Sequence, residues 1–188
     1  MTPSDVLEFW FGAPDAPVAA RAEWFRKDDA FDALIGQRFG ALIDQALAGG
    51  IEGWMASPSG SLARIIVLDQ FTRNVHRGTP RSFAGDPFAL AGARALVANG
   101  WHLGFGALQR SFCYLPFEHS ESLSDQDESL RLFGLLRDEP LTPTVYEYAV
   151  KHRDIIVRFG RFPHRNEILG RVSTPEELEF LTLPGSRF

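Results

Sequence analysis

Residues 60–76 read Gly60-Ser61-Leu62-Ala63-Arg64-Ile65-Ile66-Val67-Leu68-Asp69-Gln70-Phe71-Thr72-Arg73-Asn74-Val75-His76. At about 100° per residue, Leu62, Ile65, Ile66, Val67, Leu68, Phe71 and Val75 fall on every side of a helix. A helix apolar all round is buried, so this segment predicts the central helix of an all-α domain. Yet it carries Asp69, Gln70, Arg73 and Asn74. The spacing places Asp69 and Arg73 inside the apolar sector, between Ile65 and Ile66, and four residues apart they can pair on one face. Two readings stand: a ligand or acid clamp oriented by the arginine, or a structural ion pair tying the central helix to its neighbours.

Outward from this segment the period stays helical. Helices are predicted over 4–11, 17–26, 29–48, 60–76, 87–98, 106–115, 124–137, 143–160 and 175–182. Asp86-Pro87, Thr142-Pro143 and Thr174-Pro175 each read as a capping residue before a first-turn proline, and Thr174 with Glu177 as a capping box. Gly49-Gly50, Asn99-Gly100 and Gly160 read as stops. No run alternates with period two, and no linker or repeat divides the chain. The expectation is one domain over 1–188: about nine helices in stacked antiparallel pairs, wound as a tetratricopeptide-like right-handed superhelix.

The chain has 188 residues, a net charge of −5, 45% apolar and 23% charged residues, and one cysteine. The acidity argues against nucleic acid, whose phosphates demand a basic footprint. A single cysteine forms no intrachain disulfide and fits a reducing compartment. No basic n-region opens the sequence and no apolar run reaches the ~20 residues that span a bilayer. The expectation is a soluble, cytoplasmic protein with a core rich in aromatic side chains, since the composition includes 16 Phe and 4 Trp.

Three further segments carry polar chemistry. In 143–160, Val145, Tyr148, Ala149, His152, Ile156 and Phe159 form an apolar stripe, opposite Glu147, Lys151, Asp154 and Arg158, so His152 points inward. In 114–128, Glu118, His119 and Glu121 follow Tyr114 and Pro116. Pro116 is expected to break one helix and Ser124 to cap the next, with Asp125, Asp127 and Glu128 serving its first turn. His119 between two carboxylates reads as an acid–base unit, as a metal half-site, or as a hydrogen-bonded joint. No HExxH or comparable ligand spacing supports a metal, and neither metal nor cofactor is expected. Residues 158–171 gather Arg158, Arg161, His164, Arg165 and Arg171 around Phe159, Phe162 and Asn166. Cations at the helix end before Gly160 account for Arg158 and Arg161. Asn166 opens a short turn through Leu169 whose N–H groups would point where the arginines gather, an anion site; the competing reading is pairing with the acidic 118–128 segment. Cys113, between Phe112 and Tyr114, reads as a small core hydrophobe. No Gly-x-Ser-x-Gly, Gly-x-Gly-x-x-Gly or phosphate-loop pattern is present.

Leu68-Asp69-Gln70-Phe71-Thr72-Arg73-Asn74, Tyr114-Leu115-Pro116-Phe117-Glu118-His119-Ser120-Glu121 and Phe159-Gly160-Arg161-Phe162-Pro163-His164-Arg165-Asn166 together resemble the bacterial "domain of unknown function 924" family. Val6-Leu7-Glu8-Phe9-Trp10-Phe11 and Trp24-Phe25 look like it too. Thr72 stands where many members carry proline. The resemblance implies an all-helical fold similar to tetratricopeptide-type helix pairs and implies no established activity.

The site expected from these residues is one polar pocket, walled by aromatics, formed by Asp69, Gln70, Arg73, Asn74, Tyr114, Glu118, His119, Glu121, His152, Arg161, His164, Arg165 and Asn166. The expected function is binding of a small anionic molecule or an acidic peptide terminus. The alternatives are a hydrolytic or acid–base enzyme, with His119, His164 or Asp69 as catalytic candidates, and a purely structural polar network in an interaction scaffold. The sequence leaves the oligomeric state open.

Overall fold

The computed structural model describes residues 1–187. These form eight α-helices, with 66% of residues helical and none in strands. The helices are α1 (Pro3–Phe11), α2 (Asp29–Leu47), α3 (58–75), α4 (Asp86–Ala98), α5 (Ala107–Glu118), α6 (Leu123–Gly134), α7 (Val145–Phe159) and α8 (Pro175–Phe180). Helix α3 is the centre: residues 60–72 are all buried, and it packs against α1, α2, α4 and α5. From α4 onward each helix up to α7 packs on the next in sequence, and α5 also touches α7.

The core is aromatic, as the composition requires. Trp10 meets Phe71 and Phe112 edge-on, each with ring centroids 5.6 Å apart, and Phe39 lies 4.8 Å from Phe71. Such pairs add directionality to the burial itself. A satellite cluster of Ile155, Ile156 and Phe162, with Phe159 and Phe180 against it, anchors the C-terminal segment. No helix among the described residues is long and apolar enough to cross a membrane.

Several local expectations need correction. The helix expected over 17–26 shrinks to a 3₁₀ turn at Ala22–Trp24. The indole N–H of Trp24 donates to the Trp10 carbonyl and Arg21 donates to the Phe9 and Trp10 carbonyls. The segment is thus spent on the open C-terminal end of α1 instead of its own helix. Pro116 does not end α5, which runs on to Glu118. Ser122, not Ser124, is the N-cap residue of α6. Thr142 turns its hydroxyl to the Leu136 carbonyl instead of capping α7, which starts at Val145. Tyr148 lies exposed with Lys151 over its ring, and Ile155 takes its place in the buried stripe. The Thr2–Asp5 and Thr174–Glu177 capping boxes open α1 and α8, and Gly100 and Gly160 close α4 and α7 at positive φ.

Candidate functional site

Helix α3 departs from α-helical geometry over Ile66–Phe71, which form a π-helical segment between two α-helical ones. Such wide turns recur at functional sites. This one carries Asp69 and Gln70, and the Asp69 side chain is 1% exposed.

Two groups from different elements converge on one oxygen of Asp69. Arg73 Nη1 lies 2.9 Å from Oδ1, and His119 Nδ1, at the C-terminal end of α5, lies 2.7 Å from the same atom. Gln70 donates to Oδ2 at 2.6 Å. Burial opposes the charge on Asp69, but Arg73, His119 and the hydrogen bonds from His119 and Gln70 outweigh it and hold the carboxyl well below its usual range. Asp69 therefore stays ionised and can only accept. The Nδ1 of His119 carries the proton of that bond.

Asp86 extends the network. It meets Arg73 at 2.9 and 3.0 Å and Arg165 at 3.2 Å. It is the first residue of α4, read from sequence as a cap, but two guanidiniums draw its carboxylate away. Gly85 makes the approach possible, since a Cβ there would sit 2.0 Å from the Leu68 carbonyl oxygen. Arg165 also donates to the His119 carbonyl at 3.0 Å and lies between Phe83 and Phe162, 4.7 and 4.6 Å from their ring centroids. Burial, then the nearby Arg73, lowers its pKa to about 10.

Beneath His119 lies a second acid–imidazole contact. Glu118 is buried, and His152 Nδ1 lies 3.1 Å from its Oε1 and 2.9 Å from the Tyr148 carbonyl. Burial, reinforced by the charge on Asp69, pushes Glu118 up to about 8. Burial takes His152 down to about 3. At neutral pH Glu118 holds its proton and His152 is neutral. The His119 and His152 rings are 6.3 Å apart. Burial also lowers His119, helped by Arg73 and opposed by Asp69.

The three sequence segments thus meet, through Asp69, His119 and Arg165. Other predicted members go elsewhere. The fork of Arg161 is taken by Glu177 of α8, at 2.7 and 2.8 Å. Asn166 donates to Ser173 and Glu177, Asn74 to Asp32. Tyr114 is fully buried against His102 and Phe133, its hydroxyl accepting from Arg110. Glu121 fills the place imagined for an outside anion: it accepts from the Phe162 N–H and from both terminal nitrogens of Arg171. Among the described residues no group of three or more His, Cys, Asp or Glu is placed to hold a metal ion.

Beside this network a cleft of about 540 Å³ opens over the 163–173 turn. His164, Arg171, Arg187, Ser173 and Thr182 line it with Glu167, and Pro163, Leu178 and Leu181 form its apolar side. Burial, then Arg165, lowers His164 to about 3. Asp86, Arg187 and the cleft itself were not legible as site features: Asp86 had the sequence signature of a helix start, and Arg187 stands outside the arginine-rich run.

Residues 6–185 match the family model described as a bacterial protein of unknown function, DUF924. No curated protein matches. The solved structure of a protein of unknown function, ATU0120 from Agrobacterium tumefaciens, superposes with a TM-score of 0.84 at 38% sequence identity, covering 95% of this chain and 96% of that one. The Asp69–His119–Arg165 cluster is therefore set in a member of the DUF924 family, to which this chain belongs.

Proposed function

We propose that the chain binds a small anionic ligand, a carboxylate or phosphate on a small apolar body or the acidic terminus of a peptide, in the cleft over the 163–173 turn. The observation that carries this reading is the lining itself. Two guanidiniums, Arg171 and Arg187, and the neutral imidazole of His164 line the cleft with one carboxylate, Glu167, and with the apolar Pro163, Leu178 and Leu181. Ser173, whose oxygen accepts from Asn166, adds a hydroxyl that can donate to a ligand oxygen, whereas the Thr182 hydroxyl donates to the Glu179 carbonyl. Arg171 already holds Glu121, which fixes its guanidinium in place; Arg187 is the second guanidinium of the lining. In this reading the helices stack as tetratricopeptide-like pairs and the protein is cytoplasmic.

The rival reading is a structural network, favoured by one observation: Arg158, Arg161, Arg165 and Arg171 each hold a carboxylate of the chain itself. Thermal melting in phosphate, sulfate, acetate and hexanoate separates the two. Binding raises the melting temperature through linkage, and the gain shrinks with added chloride. Arg187→Ala should remove it, whereas Lys151→Ala, on the exposed face of α7, should keep it. No gain with any anion, or an equal gain in both variants, leaves the arginines structural.

A further inference from the structure

We infer that His119 is a general base, positioned by Asp69, for the attack of water on a small ester. The inference is independent of the anion cleft and rests on how the imidazole is held. Nδ1 donates to an ionised Asp69, so the neutral ring carries its lone pair on Nε2. Among the described residues the hydrogen bond of the ring runs through Nδ1 alone. The His119 side chain is 16% exposed, and Arg73 and Asp86 beside it are 19% and 20% exposed. All three side chains keep part of their surface in contact with solvent.

Burial and Arg73 keep His119 unprotonated at neutral pH, the state a base requires. Asp69 supports the imidazolium once it forms. It does not take the proton, because Arg73 holds its charge. This is the logic by which a carboxylate orients a base in acyl-transfer sites. Arg73 shares Oδ1 of Asp69 with His119 and is itself held by Asp86, so the carboxylate that orients the ring is fixed in place.

The nucleophile has to come from solution. Ser120 donates to Asp125, Thr72 to the Leu68 carbonyl, and Cys113 is buried with its thiol pushed far up by burial. In the proposed step Nε2 accepts a proton from water while the water oxygen bonds to the acyl carbon. The tetrahedral oxyanion collapses, the C–O bond to the alcohol breaks, and the imidazolium returns its proton to the leaving oxygen. Acid and alcohol are the products; no redox partner or cofactor is needed.

p-Nitrophenyl acetate serves as the probe. The protein should release p-nitrophenolate faster than the same concentration of free imidazole, along a pH profile whose midpoint lies below 6.5, the ordinary histidine value. His119→Gln should remove the excess rate, and Asp69→Asn, which frees the ring to take the other tautomer, should lower it about 100-fold. His76→Gln should leave it intact. Carbethoxylation of the unmodified protein by diethyl pyrocarbonate, mapped by mass spectrometry, needs no variant to fold: His119 should react ahead of His102 and His152, which are buried. Hydrolysis no faster than imidazole, a full rate in folded His119→Gln, or His119 reacting no faster than His102 and His152 would each overturn the proposal.

Discussion

His119 donates through Nδ1 to Asp69 Oδ1 across 2.7 Å, although the two lie 50 residues apart in the chain. The bond links the centre of the buried helix to the end of α5, and it sets which nitrogen of the imidazole is basic. Asp69 can hold that position because Arg73, one helical turn away, supplies a compensating charge.

Arg73→Ala should therefore destabilise the fold by about 3–5 kcal/mol, the cost of leaving a buried carboxylate uncompensated. Asp86 would keep only Arg165. Arg73→Lys should recover only part of this, because an ammonium cannot reach Asp69 and Asp86 with two forked nitrogens. Urea unfolding at neutral pH measures both variants; an unchanged midpoint for Arg73→Ala would place the pair outside the folding energetics.

Stability should peak near pH 6.5. His152 and His164 are held at about 3 from an ordinary 6.5. Below 6.5 the unfolded chain takes up protons that the folded chain refuses, so stability falls as pH drops toward 3. Glu118 works oppositely, raised from 4.5 to about 8. Between those values the folded chain keeps a proton that the unfolded chain has lost, so stability falls as pH rises and levels off above 8. Two imidazoles outweigh one carboxyl on the acid side, and Glu118 acts without them above 6.5. Asp69, held low, adds stability that is lost only on strong acidification. Thermal melts from pH 4 to 9 should trace this shape, and Glu118→Gln should flatten its alkaline limb.

Gly85→Ala should cost about 1–3 kcal/mol. Its backbone φ is ordinary, and the penalty is steric: the new methyl would lie 2.0 Å from the Leu68 carbonyl oxygen. The start of α4 would have to move away from α3, taking Asp86 from Arg73. Gly104→Ala, with nothing within 4 Å of the added carbon, is the control. Equal melting temperatures for the two variants would contradict the close approach.

Cys113 should be silent toward Ellman's reagent in the native protein and react only on unfolding. The side chain is fully buried and burial raises its thiol pKa. A fast native reaction would show that α5 opens locally.

The burial of α3 was legible because its apolar residues surround the cylinder, and the Asp69–Arg73 pair because four residues make one turn. Their partners were not. His119 lay among three open readings, since its bond to Asp69 exists only after α3 and α5 pack. Asp86 was disguised by Asp86-Pro87, a normal helix start, and its role depends on guanidiniums 13 residues before it and 79 after it. The π-helical register left no trace in a pattern counted at fixed spacing. Segment 17–26 forms no full helix because Arg21 and Trp24 each find a carbonyl at the end of α1, a partner that exists only once the chain has folded back.

The account turns on the tautomer of His119, which ¹⁵N-labelled protein reports directly through long-range ¹H–¹⁵N correlations of the imidazole. At neutral pH the account predicts a neutral ring, protonated at Nδ1 and bare at Nε2, with the proton moving to Nε2 in a fraction of molecules in Asp69→Asn. A ring protonated at Nε2 alone, or an imidazolium at neutral pH, would contradict it.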